Sequence, residues 1–235
     1  MRVHSLRDKT ALLLDMNSTF MFGEDRFDDA QDYSKIYRHV GGILPAARVN
    51  RLIAKAFEYL SVRYPDAGYR QHFPSVAEAL RAVSEEPIAA CEIARLVETF
   101  AYHERGHVSA EYVQVLHRLA EGFRLGLVID VWAPKDSWLA HFQEIGIMEL
   151  FEAISFSSDH RHVKPSPHGF RQVLAAMRLP PRQALFIGDS VRRDLAGARA
   201  AGLDCVLVGG ARSALAMACY ADLSALCEQW LSSMP

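Results

Sequence analysis

Hydrophobic residues recur along this chain at two spacings, and the change of spacing divides it. Residues 11–14 form an unbroken apolar run, Ala11-Leu12-Leu13-Leu14, with Lys9-Thr10 before it and Asn17-Ser18 after it. Such a run is too short to cross a membrane, and its lack of polar alternation predicts a strand buried on both faces of a parallel sheet. From about residue 28 to 104 the period is helical, with segments at 32–40, 45–64, 74–84 and 87–103. The second carries Val49, Leu52, Ile53, Ala56, Phe57 and Leu60 on one face. Proline near the first turn of the later segments lacks only an N–H that would be unpaired there. Tyr64-Pro65-Asp66-Ala67-Gly68 is a loop inside this block.

After Gly106 the pattern alternates. Helices are expected at 111–121, 137–145, 169–178, 192–201 and 224–231, and strands at 125–130, 153–156, 184–188 and 204–208. Strands separated by amphipathic helices imply a parallel sheet with right-handed crossovers. The strand at the N-terminal end belongs to that sheet, so the helical block is an insertion after it.

At 235 residues, 50% of them hydrophobic, the chain can bury a large core. Lys plus Arg number 26 against 28 Asp plus Glu, a formal net charge of -2. Scattered basic residues give no footprint for nucleic acid or an anionic membrane surface, which leaves a small-molecule partner. Cys91, Cys205, Cys219 and Cys227 form no CxxC pair and are too few for a disulfide framework. The N-terminal apolar run is shorter than a signal-peptide core, so a cytoplasmic location is expected. Monomer and homodimer stay equally open.

Chemistry-capable residues gather at the expected strand ends. Ligands of open α/β sheets bind outside the carboxyl ends of the strands, which aims Asp15 into a crevice. Gly188-Asp189-Ser190 and Asp194 follow the strand at 184–188. Several carboxylates near Asp15 would repel one another unless a cation sat among them, and hard oxygen ligands favour magnesium. Lys164, in a loop, offers a second cation.

In this order LLLDMNST, VKPSP and FIGDSVRRDLAGARAAGL resemble the motifs of the haloacid dehalogenase-like (HAD) hydrolase superfamily. Gly188, Asp189, Asp194, Gly197, Ala198, Ala201 and Gly202 carry the most specific part of the likeness. The resemblance implies an α/β fold, a doubly wound Rossmann-like parallel-sheet core (1–20 and 108–235) with an inserted all-helical cap domain (21–107). It implies a small phosphorylated substrate attacked by Asp15 to give an aspartyl-phosphate. By the same analogy Mg2+ is held by Asp15, the main-chain carbonyl of Asn17, Asp189 and Asp194, and Lys164 stabilises nucleophile and phosphate. Ser18, Thr19, Arg26, Ile129, Asp130 and Lys164 are the implied substrate contacts.

Two positions depart from the phosphatase pattern. Where family phosphatases have a second Asp, Asn17 can hydrogen-bond but cannot exchange a proton near neutral pH. Ile129 stands where a phosphate-binding Ser or Thr is usual, with Asp130 beside it. General acid-base catalysis contributes about a hundred- to ten-thousand-fold, so a plain alkyl ester is expected to be a poor substrate. The alternatives are an acyl phosphate whose leaving group needs no proton, a dehalogenase or phosphonatase, and a weakened relative that only binds a phosphorylated ligand.

Other signals compete. His103-Glu104-Arg105-Gly106-His107 fits the HExxH zinc pattern, although Arg105-Gly106 reads as a helix terminus. His160, His162 and His168 flank Lys164, where one of them could replace the missing proton donor. The resemblance implies a turn and small flap after the nucleophile, from which Glu24 or Arg26 could face the substrate, while Phe20, Met21 and Phe22 pack the insert on the core. Lys35, Tyr37, Arg38 and Arg48 are candidate specificity residues in the helical block.

Overall fold

The computed structural model describes residues 8–28 and 30–231. Residues 1–7 and 232–235 of the expected core, and Asp29 of the expected insert, lie outside the described residues. The strands are β1 (Ala11–Leu14), β2 (Arg124–Ile129), β3 (Phe151–Phe156), β4 (Ala184–Gly188), β5 (Asp204–Leu207) and β6 (Ala218–Cys219). Helices α1 (Ser34–His39), α2 (Ala46–Ser61), α3 (Val76–Val83) and α4 (Ala90–Glu104) form the insert. Then come α5 (Ala110–Gly122), α6 (Asp136–Glu144), α7 (Ser157–His160), α8 (His168–Ala176), α9 (Ala196–Ala200) and α10 (Leu223–Leu231).

The six strands are parallel in the order β3-β2-β1-β4-β5-β6. The chain adds β2 and β3 on one side of β1 and then returns to lay β4 to β6 on the other. A topological switch point therefore opens between β1 and β4, where ligands of such sheets bind. The pleat explains the unbroken apolar run of β1. Leu12 and Leu14 enter a core built with α5, α6 and α10, and Ala11 and Leu13 enter a second core under α8 and α9.

The larger core continues without a break into the insert, through Val49, Ile53, Leu96 and Phe100. Two fastenings hold insert to sheet. At the linkers, Phe22 and His107 exchange backbone hydrogen bonds of 2.9 Å, and the Asp25 and Arg26 N–H groups donate to the carbonyls of Glu104 and His103. Gly106 is required there, because a Cβ would lie 2.6 Å from the Phe22 carbonyl oxygen. On the opposite side Phe73 N–H donates to Arg161 O at 2.9 Å, and Val163 N–H to Arg70 O at 3.0 Å.

Three features differ from the sequence-based expectation. The segment expected as one helix at 192–201 opens with a π-turn, Val191–Leu195, before α9. Its wide first turn arises because Ser190 O accepts from both Asp194 N–H and Leu195 N–H. The short α7 and the two-residue β6 carry too few residues for a periodic signal. Among the described residues, no helix is long and apolar enough to cross a membrane.

Candidate active site

Asp15 follows β1 directly, its N–H donating to Ile187 O of β4 at 2.8 Å, and only 5% of it is exposed. Asp189 follows β4 in the same way, and the π-turn brings Asp194 beneath them, fully buried. That approach depends on Gly188, where a Cβ would lie 2.6 Å from the Asp194 carboxyl carbon. One carboxylate oxygen from each of Asp15, Asp189 and Asp194 lies within 4.8 Å of the others. Lys164, itself buried, reaches in from the loop after α7, its Nζ 2.5 Å from Asp15 Oδ1 and 2.7 Å from Asp194 Oδ1. Asp130, at the end of β2, holds that loop by accepting the Lys164 N–H at 2.8 Å and the Tyr64 hydroxyl at 2.7 Å on Oδ2.

Charge is unbalanced here. Burial pushes the Asp15 carboxyl up to about 7; Lys164 pulls it back and Asp194 pushes it further. Asp189 rises to about 6 through burial and the neighbouring Asp194. Burial works against the Lys164 charge, but Asp15, Asp194 and Asp130 hold it cationic. The Lys164 and Arg193 cations together do not neutralise the four carboxylates of Asp15, Asp130, Asp189 and Asp194. Asn17 Oδ1 and Asp189 Oδ1 are moreover buried without a hydrogen-bond partner, which is costly for such atoms. An all-oxygen donor set with a charge excess and orphaned acceptors fits a hard divalent cation.

A cavity of about 180 Å³ opens above Asp15, between sheet and insert. Asn17, Ser18, Lys164 and Arg193 line it together with Asp15 and Asp130; Tyr64 and Trp132 add aromatic faces, and Glu24, Asp25 and Glu104 add carboxyl groups. Ser18 adopts a left-handed conformation, φ 56°, and donates its hydroxyl to Glu24 at 2.9 Å. The Glu104 carboxyl group accepts the Trp132 and Ala133 N–H groups at 2.6 and 2.9 Å, and thereby fixes the loop after β2.

The fold thus gathers Asp15, Asn17, Ser18, Asp130, Lys164, Asp189 and Asp194. It does not bring the other expected contacts. Ile129 is 1% exposed with its side chain in the larger core, because the pleat turns it away from the cavity. Thr19 is buried behind the loop and does not line the cavity. Arg26 clasps the linkers instead, donating to Gly23 O at 2.8 Å, to Arg105 O at 2.6 Å and to Tyr102 O. In the insert, Tyr37 is buried with its hydroxyl on Glu92, and Arg48 pairs with Glu86 at 3.1 Å; neither they nor Lys35 and Arg38 line the cavity.

The histidine signals resolve similarly. α4 ends at Glu104 and Arg105 is extended (φ −73°, ψ 129°), so His103 and His107 do not share a helical turn. His162 and His168 stack at 4.1 Å, and line a separate surface cleft with Gln71 and Arg171. Sequence reasoning missed Arg193, Tyr64 and Trp132. Arg193 carried a signal, its place immediately before Asp194; the two aromatics carried none, since only tertiary packing brings them into the cavity with Asp15.

Residues 9–202 match the sequence profile of the haloacid dehalogenase-like hydrolases, and the chain belongs to that family. It is 26% identical over 144 residues to the glyceraldehyde 3-phosphate phosphatase of Methanopyrus kandleri, covering 60% of each chain. The chain therefore spans less than two thirds of that relative's length. Among solved structures it resembles a 2-haloacid dehalogenase from Pseudomonas syringae pv. Tomato DC3000, at TM-score 0.61 and 19% identity over 96% of this chain and 100% of that one. A HAD phosphatase from Thermococcus onnurineus is equally similar, at TM-score 0.61 and 19% identity over 94% and 97%. Likeness at this identity is one of fold.

Proposed function

We propose that this HAD-like hydrolase is a Mg2+-dependent, phosphatase-type enzyme that acts on a small phosphorylated metabolite through Asp15, with the helical insert (21–107) as its cap. The observation that carries this reading is the buried Asp15–Lys164–Asp194 arrangement with Asp189 beside it at the switch point of the sheet.

Lys164 keeps one Asp15 oxygen oriented, leaving the other to attack phosphorus. The new Asp15 O–P bond forms as the bond to the leaving oxygen breaks, and water then cleaves the aspartyl-phosphate to return the carboxylate and release phosphate. Asp15, Asp189, Asp194 and the Asn17 main-chain carbonyl are the groups that would hold the ion. When bound, magnesium supplies neutralisation of the charge that develops on the phosphoryl oxygens. Tyr64 and Trp132 keep bulk water from the nucleophile. Since Asn17 has no proton to give, leaving groups that depart as stable anions, acyl phosphates among them, suit this site better than alkyl alcohols. Four unbridged cysteines support a cytoplasmic setting for such a reaction.

The test is a panel of phosphate esters, acyl phosphates and haloacids, assayed with and without magnesium beside Asp15→Asn. Acyl phosphate turnover that requires both Asp15 and magnesium is expected. Halide release without magnesium, or no turnover that depends on Asp15, would overturn the reading. Asn17→Asp should raise the alkyl ester rate.

A further inference from the structure

Ile129, turned into the core, leaves the phosphate end of the cavity without the hydroxyl that the resemblance led one to expect there. A cation stands at that end instead. Arg193 lines the cavity with Asp15, Asn17 and Lys164, and among the described residues its guanidinium makes no ion pair and no hydrogen bond. The guanidinium lies over the ring of Tyr64, whose centroid is 5.4 Å from the guanidinium carbon, and shares the cavity with Asp25 and Asp130. Burial opposes its charge, but the carboxylates of Asp194, Asp15 and Asp189 hold it cationic. By contrast the adjacent Arg192 is exposed, its Nη1 3.5 Å from Pro65 O.

The backbone accounts for this aim. Ser190 Oγ accepts the Arg193 N–H at 3.2 Å, and the π-turn places Arg193 and Asp194 side by side, one lining the cavity and the other on Lys164. A half-buried, unpaired guanidinium fork matches two oxygens of a tetrahedral oxyanion better than an ammonium or a hydroxyl does.

We propose that Arg193 binds the transferred phosphoryl group, its fork taking two phosphoryl oxygens in place of the absent hydroxyl. This rests on the phosphatase-type reading, but its test does not require turnover. The charge that builds on those oxygens during displacement is then met by a donor already in place.

Calorimetric binding of inorganic phosphate, with magnesium present throughout, is compared in wild type, Arg193→Gln, Arg193→Lys and Arg192→Gln. Hydrogen bonds to charged groups imply about ten- to a hundredfold weaker phosphate binding for Arg193→Gln. Arg193→Lys should recover part of that loss, and Arg192→Gln, which removes the neighbouring exposed cation but leaves the Arg193 guanidinium, should stay near wild type. Melting temperatures of all four separate loss of a ligand from loss of fold. Phosphate bound equally well by Arg193→Gln would overturn the proposal, as would an equal loss in Arg192→Gln, which would mean that the turn's net charge and not the Arg193 fork holds the phosphate. If esters are cleaved through Asp15 with KM and phosphate affinity unchanged in Arg193→Gln, this proposal falls and the phosphatase-type reading stands. If no phosphorylated compound is cleaved yet phosphate binding depends on Arg193, the reverse holds.

Discussion

Lys164 links the stability of the fold to the reaction proposed for Asp15. Its ammonium is enclosed with Asp15 and Asp194, and removing one partner of a buried pair strands the other charges. Lys164→Met is therefore expected to cost about 3–5 kcal/mol at pH 7.5, read from denaturant midpoints, as well as Asp15-dependent turnover. A stability loss below about 1 kcal/mol would place the pair in the weak class of exposed ion pairs. Glu104 gives a second prediction at this scale. Burial pushes it up to about 8, Asp25 adds to this, and the Trp132 and Ala133 N–H groups pull it down. Because its pKa is raised on folding, its contribution is complete below its ordinary value of 4.5 and fades as pH rises toward 8. Glu104→Gln, neutral at every pH, should gain in melting temperature relative to wild type between pH 5 and 8. A difference independent of pH would contradict the buried, protonated carboxyl.

Among elements, the turn after β4 decides the site. The Gly188-Asp189 pair could be read from the sequence, whereas the reason for glycine could not, since it is the approach of Asp194. Gly188→Ala should drive Asp194 away from Lys164 and lower kcat about a hundredfold, in line with the effect of a 1 Å misplacement, with little change in overall fold by circular dichroism. Wild-type kcat in this variant would mean that the turn relaxes without moving Asp194. At the linkers, Arg26 was expected at the substrate and instead fastens the crossing strands. Its spacing from Asp15 was visible; its partners, the carbonyls of Tyr102 and Arg105, are distant in sequence and unpredictable from local pattern.

On the scale of the molecule, the insert meets the sheet along a continuous core and at the Arg161 fastening. Arg161 donates to Phe73 O at 2.9 Å and to Glu78 at 2.7 Å, the latter between half-exposed side chains. Such a pair contributes less than about 1 kcal/mol, so Arg161→Ala should leave global stability nearly unchanged. Its effect should be local: faster deuterium uptake at 69–78 and a higher KM. Unaltered exchange there would show that the apolar core alone seats the insert.

Sequence by itself determined what periodicity and residue chemistry carry. The parallel-sheet core, the position of the helical insert, and the acids and lysine at strand ends all follow from runs and spacings, which are local properties. Tertiary structure decided which way each side chain faces. The pleat sent Ile129 into the core, the π-turn brought Arg193 to the cavity, and the loops after α2 and β2 brought Tyr64 and Trp132 into the same cavity as Asp15. Those outcomes depend on contacts between residues far apart in the chain, and no local pattern encodes them.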